Sequence, residues 1–260
     1  VMGKLPILIT FVLLFAFGST QGQWNREWSM GYTFANPMGK MKFNINQGHG
    51  VVLDFYLVSP DGRYSLGTDF NYTIYGYDQS MQDYVFPDGT LAQADVHVSN
   101  SFLNWTAAAR YNLMVNRVIT PYVGAKVGYA WYRTDLNIYD PDDLDNCAPL
   151  DRDILMKDGT MIVSLGGGIQ YDLAHVFKKL EANVFLLNLS AYYTQGGQVS
   201  YMNADGPEHH TTSTDRTGEV TADFINTQTQ IVHQHHVGNL YSSYARMMDF
   251  RLAFTFRAFR

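Results

Sequence analysis

Acidic, basic and imidazole side chains recur in this sequence at spacings that could do chemistry. Asp54, Asp69, Arg110, Lys126, Asp172, Glu181, Asp249, Arg251 and Arg257 each occupy the polar side of a stretch in which apolar and polar residues alternate. Charges of both signs on facing polar surfaces can pair, and a paired set fills space. An unpaired set would line a path for ions or small solutes. A second group is "HQHH", with His233, His235 and His236, and a third is "DPDDLDN", with Asp140, Asp142 and Asp143. Neutral imidazole binds transition metals and clustered carboxylates suit Ca²⁺ or Mg²⁺. The acidic run does not meet the EF-hand pattern, because Leu144 stands where a ligand is required. A weak divalent cation bridging the acidic loops to anionic lipid is therefore the expected cofactor chemistry, and no organic cofactor is expected. Hydrolysis would need a nucleophile beside a base that a third group holds. Ser190, Ser200 and His175 are present, but no spacing joins them, so the sequence does not read as an enzyme.

The elements that carry these residues have a period of two. In "EWSMGYTF" Trp28, Met30, Tyr32 and Phe34 share one face. The same alternation runs through "VVLDFYLVS", "RYSLGTDFNYTIYGY", "LNWTAAARYNL", "PYVGAKVGYAWY", "VSLGGGIQYDL" and "RLAFTFRAFR". A further stretch, "LEANVFLLNLSAYY", starts in phase at Leu180 and loses it near Phe185–Leu187. Eight amphipathic strands follow, with no helical stretch between them. "KMKFNIN" (40–46) and "QTQIVH" (230–235) could raise the number to ten.

The connections alternate in length. Short ones fall at 59–63, 114–120 and 174–180; long ones fall at about 36–50, 78–95, 137–159 and 195–242. Short turns at one end and long loops at the other suit a barrel that crosses a membrane with strands. Aromatic residues support this with two levels, where interfacial rings would sit. The lower level holds Trp28, Tyr64, Tyr111, Tyr122, Tyr171, Phe256 and Phe259. The upper holds Tyr75, Tyr77, Trp131, Tyr132, Tyr192, Tyr193, Tyr241 and Tyr244. The fold expected is all-β: a transmembrane antiparallel up-and-down β-barrel of eight strands.

Composition fits that reading. Charged residues make up only 16% of the 260, and aromatics 15%, with 18 tyrosines. A net charge of −6 argues against a nucleic-acid partner. The single Cys147 rules out an internal disulfide. Lys4 followed by "LPILITFVLLFAFG" and small residues has the form of a signal peptide over residues 1–22, with a barrel over 23–260.

With these segments in hand, the chain resembles the small eight-stranded OmpA-like barrels of Gram-negative outer membranes. The carriers are "TPYVGAKVGYAWY" (120–132), "VSLGGGIQYDL" (163–173) and "DFRLAFTFRAFR" (249–260). The resemblance implies an outer-membrane location, with both termini periplasmic and the long loops extracellular. It implies contact with membrane lipid and lipopolysaccharide, and a structural or surface-interaction role, as in an accessory subunit of an envelope complex. Where it implies an aromatic last residue, this sequence has Phe259 followed by Arg260. A narrow channel for ions or small solutes is the alternative function, and an outer-membrane enzyme the third.

Overall fold

The computed structural model describes residues 24–85, 91–115, 117–139, 149, 151–203, 216–225 and 232–258. Its strands are β1 (Asn25–Pro37), β2 (Gly48–Val58), β3 (Tyr64–Val85), β4 (Leu91–Asn112), β5 (Ile119–Tyr139), β6 (Asp151–Asp172), β7 (Phe185–Asn203), β8 (Arg216–Ile225) and β9 (Val232–Ala258). Each neighbouring pair is antiparallel, and β1 pairs with β9 from Arg26↔Ala258 to Pro37↔Met247. That last pairing closes an eight-stranded barrel from β1–β7 and β9. β8 is a ninth strand outside the cylinder, paired only with the upper part of β9. The region at 230–235 does therefore add strand, whereas 40–46 holds a short 3-10 turn at Met41–Phe43.

The outer wall carries Met30, Leu53, Leu66, Val127, Leu165 and Phe254, all exposed. Their alternate neighbours point into the barrel. A closed cylinder with polar residues inside and an apolar exterior satisfies every backbone group without water, and its exterior matches hydrocarbon. No helix among the described residues is long and apolar enough to cross a membrane. On β4 the outward apolar face runs from Leu103 to Tyr111. At the usual strand rise and tilt this is roughly 20 Å along the membrane normal, near the ~25 Å band of such barrels.

The long loops are mostly strand. Residues 78–85 and 91–95 continue the β3–β4 ladder well above the apolar belt, as 137–139 and 151–159 continue β5–β6. In these extensions the alternation persists but the faces exchange polarity. On β4, Ala94, Val96 and Val98 turn inward and are buried, while Asp95 and His97 face out. Leu136 and Ile138 of β5 join them, with Leu155 of β6 and Val237 of β9 packed against the group. Water, not lipid, surrounds this part, so the apolar side faces in. Register shifts at Ile74/Gly76, Thr134/Asp135 and Gln195/Gln198 fall near the change of zone. Each bulge bends its strand, and β7 has no pairing with β6 above Ile162↔Gly196. The extension thus divides into two packed layers, one from β3–β6 and one from β7, β9 and β8.

At the other end the connections are tight. Pro60 and Gly62, at φ 72°, turn the chain between β2 and β3. The Ser59 hydroxyl donates to Asp61 Oδ1 at 2.5 Å and the Arg63 N–H at 3.1 Å. These two bonds, the first the larger, hold the Asp61 carboxyl below its usual range. The turn after β6 is longer than the sequence suggested, because β7 begins at Phe185 and not at Leu180. The apparent loss of phase at Phe185–Leu187 marks the true start of the strand.

Two substitutions separate the two solvents. Val127→Arg, in the middle of the belt, should cost about 2–4 kcal/mol in reversible unfolding from lipid vesicles. Val96→Asp should leave that midpoint nearly unchanged but admit protease to the extension, read as cleavage between β3 and β4.

Candidate functional site

The lumen gathers the charged residues into a continuous network. At its lower end Glu27 of β1, only 1% exposed, is the common acceptor. Its Oε1 accepts from Arg110 Nη1 at 2.8 Å and Gln170 Nε2 at 2.9 Å. Its Oε2 accepts from Arg257 Nη2 at 2.9 Å and Nε at 3.2 Å. Arg257 also donates to Gln170 Oε1 at 3.1 Å. Arg110 reaches Asp54 Oδ2 at 3.3 Å, and its guanidinium lies 3.6 Å from the centre of the Tyr56 ring.

Halfway up, Asp69 accepts from Lys126 Nζ at 2.6 Å and from Arg251 Nη1. Lys126 Nζ lies 4.0 Å from the Tyr192 ring centre, a cation–π contact. Asp249 accepts from the Thr194 hydroxyl at 3.0 Å. Three acids (Glu27, Asp54, Asp69) thus pair with four bases (Arg110, Lys126, Arg251, Arg257) within the wall, and Asp249 sits beside them on Thr194. Higher still, the Thr134 hydroxyl donates to Asn100 Oδ1 at 2.7 Å. Tyr75, Phe102, Tyr132, Tyr201 and Tyr241 close the column above it, with Met41 and Met202 filling the gaps. The 3-10 turn lays Met41 over this cap, fully buried, and Asn44 Nδ2 donates to the Tyr201 hydroxyl at 2.8 Å.

Alternation placed Asp54, Asp69, Arg110, Lys126, Asp249, Arg251 and Arg257 on polar faces, and the structure brings all seven together. Asp172 also faces in but works locally: its carboxylate accepts from the Ala174 N–H at 3.0 Å and the Asn183 N–H at 2.9 Å, fixing the turn. Glu181 is a correction. It lies in that turn, exposed, because β7 starts five residues later than expected. Five aromatic assignments are corrected too. Tyr75, Tyr122, Tyr132, Tyr192 and Tyr241 sit at inward positions and are buried, so they belong to the lumen and not to the membrane belts. The lower belt is built instead around Trp28, which stacks on Phe256 at 6.1 Å beside Phe55 and Phe185. Glu27 and Gln170 were missed as members. Carrying the period of β1 back by two residues from Ser29 finds the first.

The loop carboxylates divide. Asp140, Asp142 and Asp143 lie outside the described residues, as do the side chains of His233, His235 and His236, whose backbone runs in β9 opposite β8. Phe259 lies outside them as well, and so does the segment read as a signal peptide. Among the described residues no group of three or more His, Cys, Asp or Glu side chains is arranged to hold a metal ion. Asp151, Asp153 and Asp158 have another task. Each accepts, through Oδ1, the N–H of the next residue, at 2.8, 2.7 and 2.7 Å. They lie where, among the described residues, β6 pairs with no strand on its far side, and they cover donors that such a neighbour would otherwise take.

The chain is a small eight-stranded β-barrel. Its topology is the up-and-down architecture of the smallest outer-membrane barrels. No protein-family model matches it, and no curated protein does. Among solved structures it is similar to the Neisserial surface protein A, at 10% identity and TM-score 0.43, covering 90% of this chain and 96% of that one. It is similar to the attachment invasion locus protein of Yersinia pestis at 10% and 0.41, covering 91% and 99%. The outer membrane protease OmpT of Escherichia coli aligns at 10% and 0.30, covering 91% and 97%. The barrel assignment stands on the strand register of this chain.

Glu27 ties three strands to β1, so its removal is diagnostic. Glu27→Ala leaves Arg110 and Arg257 buried without their acceptor and should destabilise the barrel by about 3–5 kcal/mol. Adding Arg110→Ala should restore part of that loss, measured as the coupling in a double-mutant cycle of urea unfolding in detergent.

Proposed function

We propose that this chain is a structural and interaction barrel of a Gram-negative outer membrane, closed to solutes, that holds a stiff two-layered sheet above the lipid. The observation that carries this is the double closure of the lumen. Paired charges block its lower half, and the cap of Tyr75, Phe102, Tyr132, Tyr201 and Met41 blocks the upper. An eight-stranded barrel has an interior only wide enough for side chains, and here both kinds of side chain meet across it. Ion conduction would need one sign of charge along a wet path, and four acids set against four bases supply neither the sign nor the path.

The extension supports the second half of the proposal. Its own apolar core holds the upper strands rigid, so the outward residues of β3–β6 form a preformed surface above the membrane. Long strands with a packed interior suit recognition by an envelope or surface partner better than gating. An even strand number puts both ends of the barrel on the side of the short turns. Periplasmic ends and an outward-facing extension follow if insertion takes the usual course for such barrels. Lipopolysaccharide would then surround the upper girdle, where Tyr129 and Trp131 pack at 4.9 Å.

Planar-bilayer recording tests the closure. The native chain should give no unit conductance, while Tyr132→Ala combined with Met41→Ala should give brief openings by removing the cap. Steady unit currents from the native chain would favour the channel reading. The interaction half is tested by mild-detergent purification from outer membranes, in which a partner should copurify at fixed ratio and be lost with Val96→Asp.

A further inference from the structure

Three outward side chains on the extension stand in an order that serves nucleophilic chemistry. The Tyr77 hydroxyl of β3 lies 3.0 Å from His97 Nδ1 of β4, and His97 Nε2 lies 2.9 Å from Asp95 Oδ2. Gln79, directly across from His97, donates to the same Asp95 oxygen at 2.7 Å. Tyr139 of β5 packs its ring on the imidazole at 4.7 Å. The side chains of His97 and Asp95 are 17% and 13% exposed, whereas Tyr77 stands half open. Asp95 can only accept, so the network assigns the proton of neutral His97 to Nε2 and leaves Nδ1 to receive the phenol hydrogen. Nucleophile, base and orienting carboxylate therefore follow one another within hydrogen-bond reach.

We propose that Tyr77 is an acyl-acceptor site: its phenol takes the acyl group of an activated carboxylic ester, with His97 as base and Asp95 as positioning residue. The Tyr77 oxygen bonds to the carbonyl carbon as the bond from that carbon to the leaving oxygen breaks. The phenol proton passes to His97 Nδ1 and then to the departing oxygen, so charge and atoms balance and an aryl ester remains on Tyr77. Asp95 stabilises the imidazolium while it carries both protons. Met81, exposed and directly opposite Asp95, offers an apolar surface beside the site for the acyl chain. The titratable groups facing His97 are Asp95 on its own strand, Tyr77 on β3 and Tyr139 on β5, with Asp78 next to Tyr77 in sequence.

The folded full chain in detergent micelles, treated with p-nitrophenyl acetate, provides the test, with acetyl on Tyr77 located by peptide mass spectrometry. Tyr77 should acetylate at least about a hundredfold faster in the native chain than in His97→Gln, the lower end of what a positioned base contributes. Asp95→Asn should fall between them. Burial, with the Asp95 carboxylate nearby, raises the Tyr77 phenol above its ordinary value, so labelling that does not use the imidazole should be slow near neutral pH. Equal rates in the native chain and His97→Gln would overturn the proposal, as would a rate that climbs only in the phenol range. Faster labelling in His97→Gln would overturn it too, because that result marks a network that merely shields the ring.

Discussion

In hydrocarbon no water is available for an unmet backbone N–H or C=O, and that single constraint organises this molecule. A sheet can cross lipid only if its two edges meet. Here they do so in the ladder between β1 and β9. Closure at eight strands then fixes the interior width, and the interior width decides what the inward residues can be. Charges placed there must find partners across the cylinder, because burying either member alone costs several kcal/mol. Glu27, Asp54 and Asp69 find theirs on β4, β5 and β9, so every ion pair but Glu27–Arg257 connects strands that the backbone ladder does not. The plug follows from the closure.

The same strands then leave the lipid, and the solvent changes while the chain does not. Period-two alternation holds throughout β4, yet Leu103 and Trp105 face out below while Val96 and Val98 face in above. The polarity of the exterior decides which face is apolar. The bulges near this boundary let the extension depart from the cylinder and fold into two layers around its own core. The long loops of the sequence reading are thus a second folded zone built on the same strands.

What was legible in the sequence followed from local period. Strand identity, the short turn at Ser59–Arg63 and the inward placement of Arg110, Lys126 and Arg251 all come from alternation, which needs no knowledge of partners. Three kinds of feature escaped it. A strand's start is not periodic, so Glu181 was carried into the lumen when it belongs to a turn. Tyrosine is amphipathic, so Tyr122 and Tyr192 were given to the membrane interface although their own strand parity sends them inward, where the rings lie against Arg110 and Lys126. Residues 78–95 read as a long connection, although Ala94 keeps the period that Val96 and Val98 continue. Which charge pairs with which depends on register between strands distant in sequence, and no single segment contains that.

Leaving the lipid also reopens the edge problem that closure had solved. Above Ile162↔Gly196 the wall divides, and among the described residues β6 pairs with no strand on that side from Asp151 to Met161. A bare edge of that length would recruit other strands. Asp151, Asp153 and Asp158 prevent this by folding back onto the next N–H, and Asp158 uses its second oxygen to accept from the Ser200 N–H of β7 at 2.7 Å. One carboxylate therefore blunts the edge and bridges the seam between the two layers. In the sequence these aspartates show only their acidity, because the edge they cover belongs to the folded sheet. Oδ1 of each, and Oδ2 of Asp158, is taken by a backbone donor, so the edge of β6 is covered from within the strand itself.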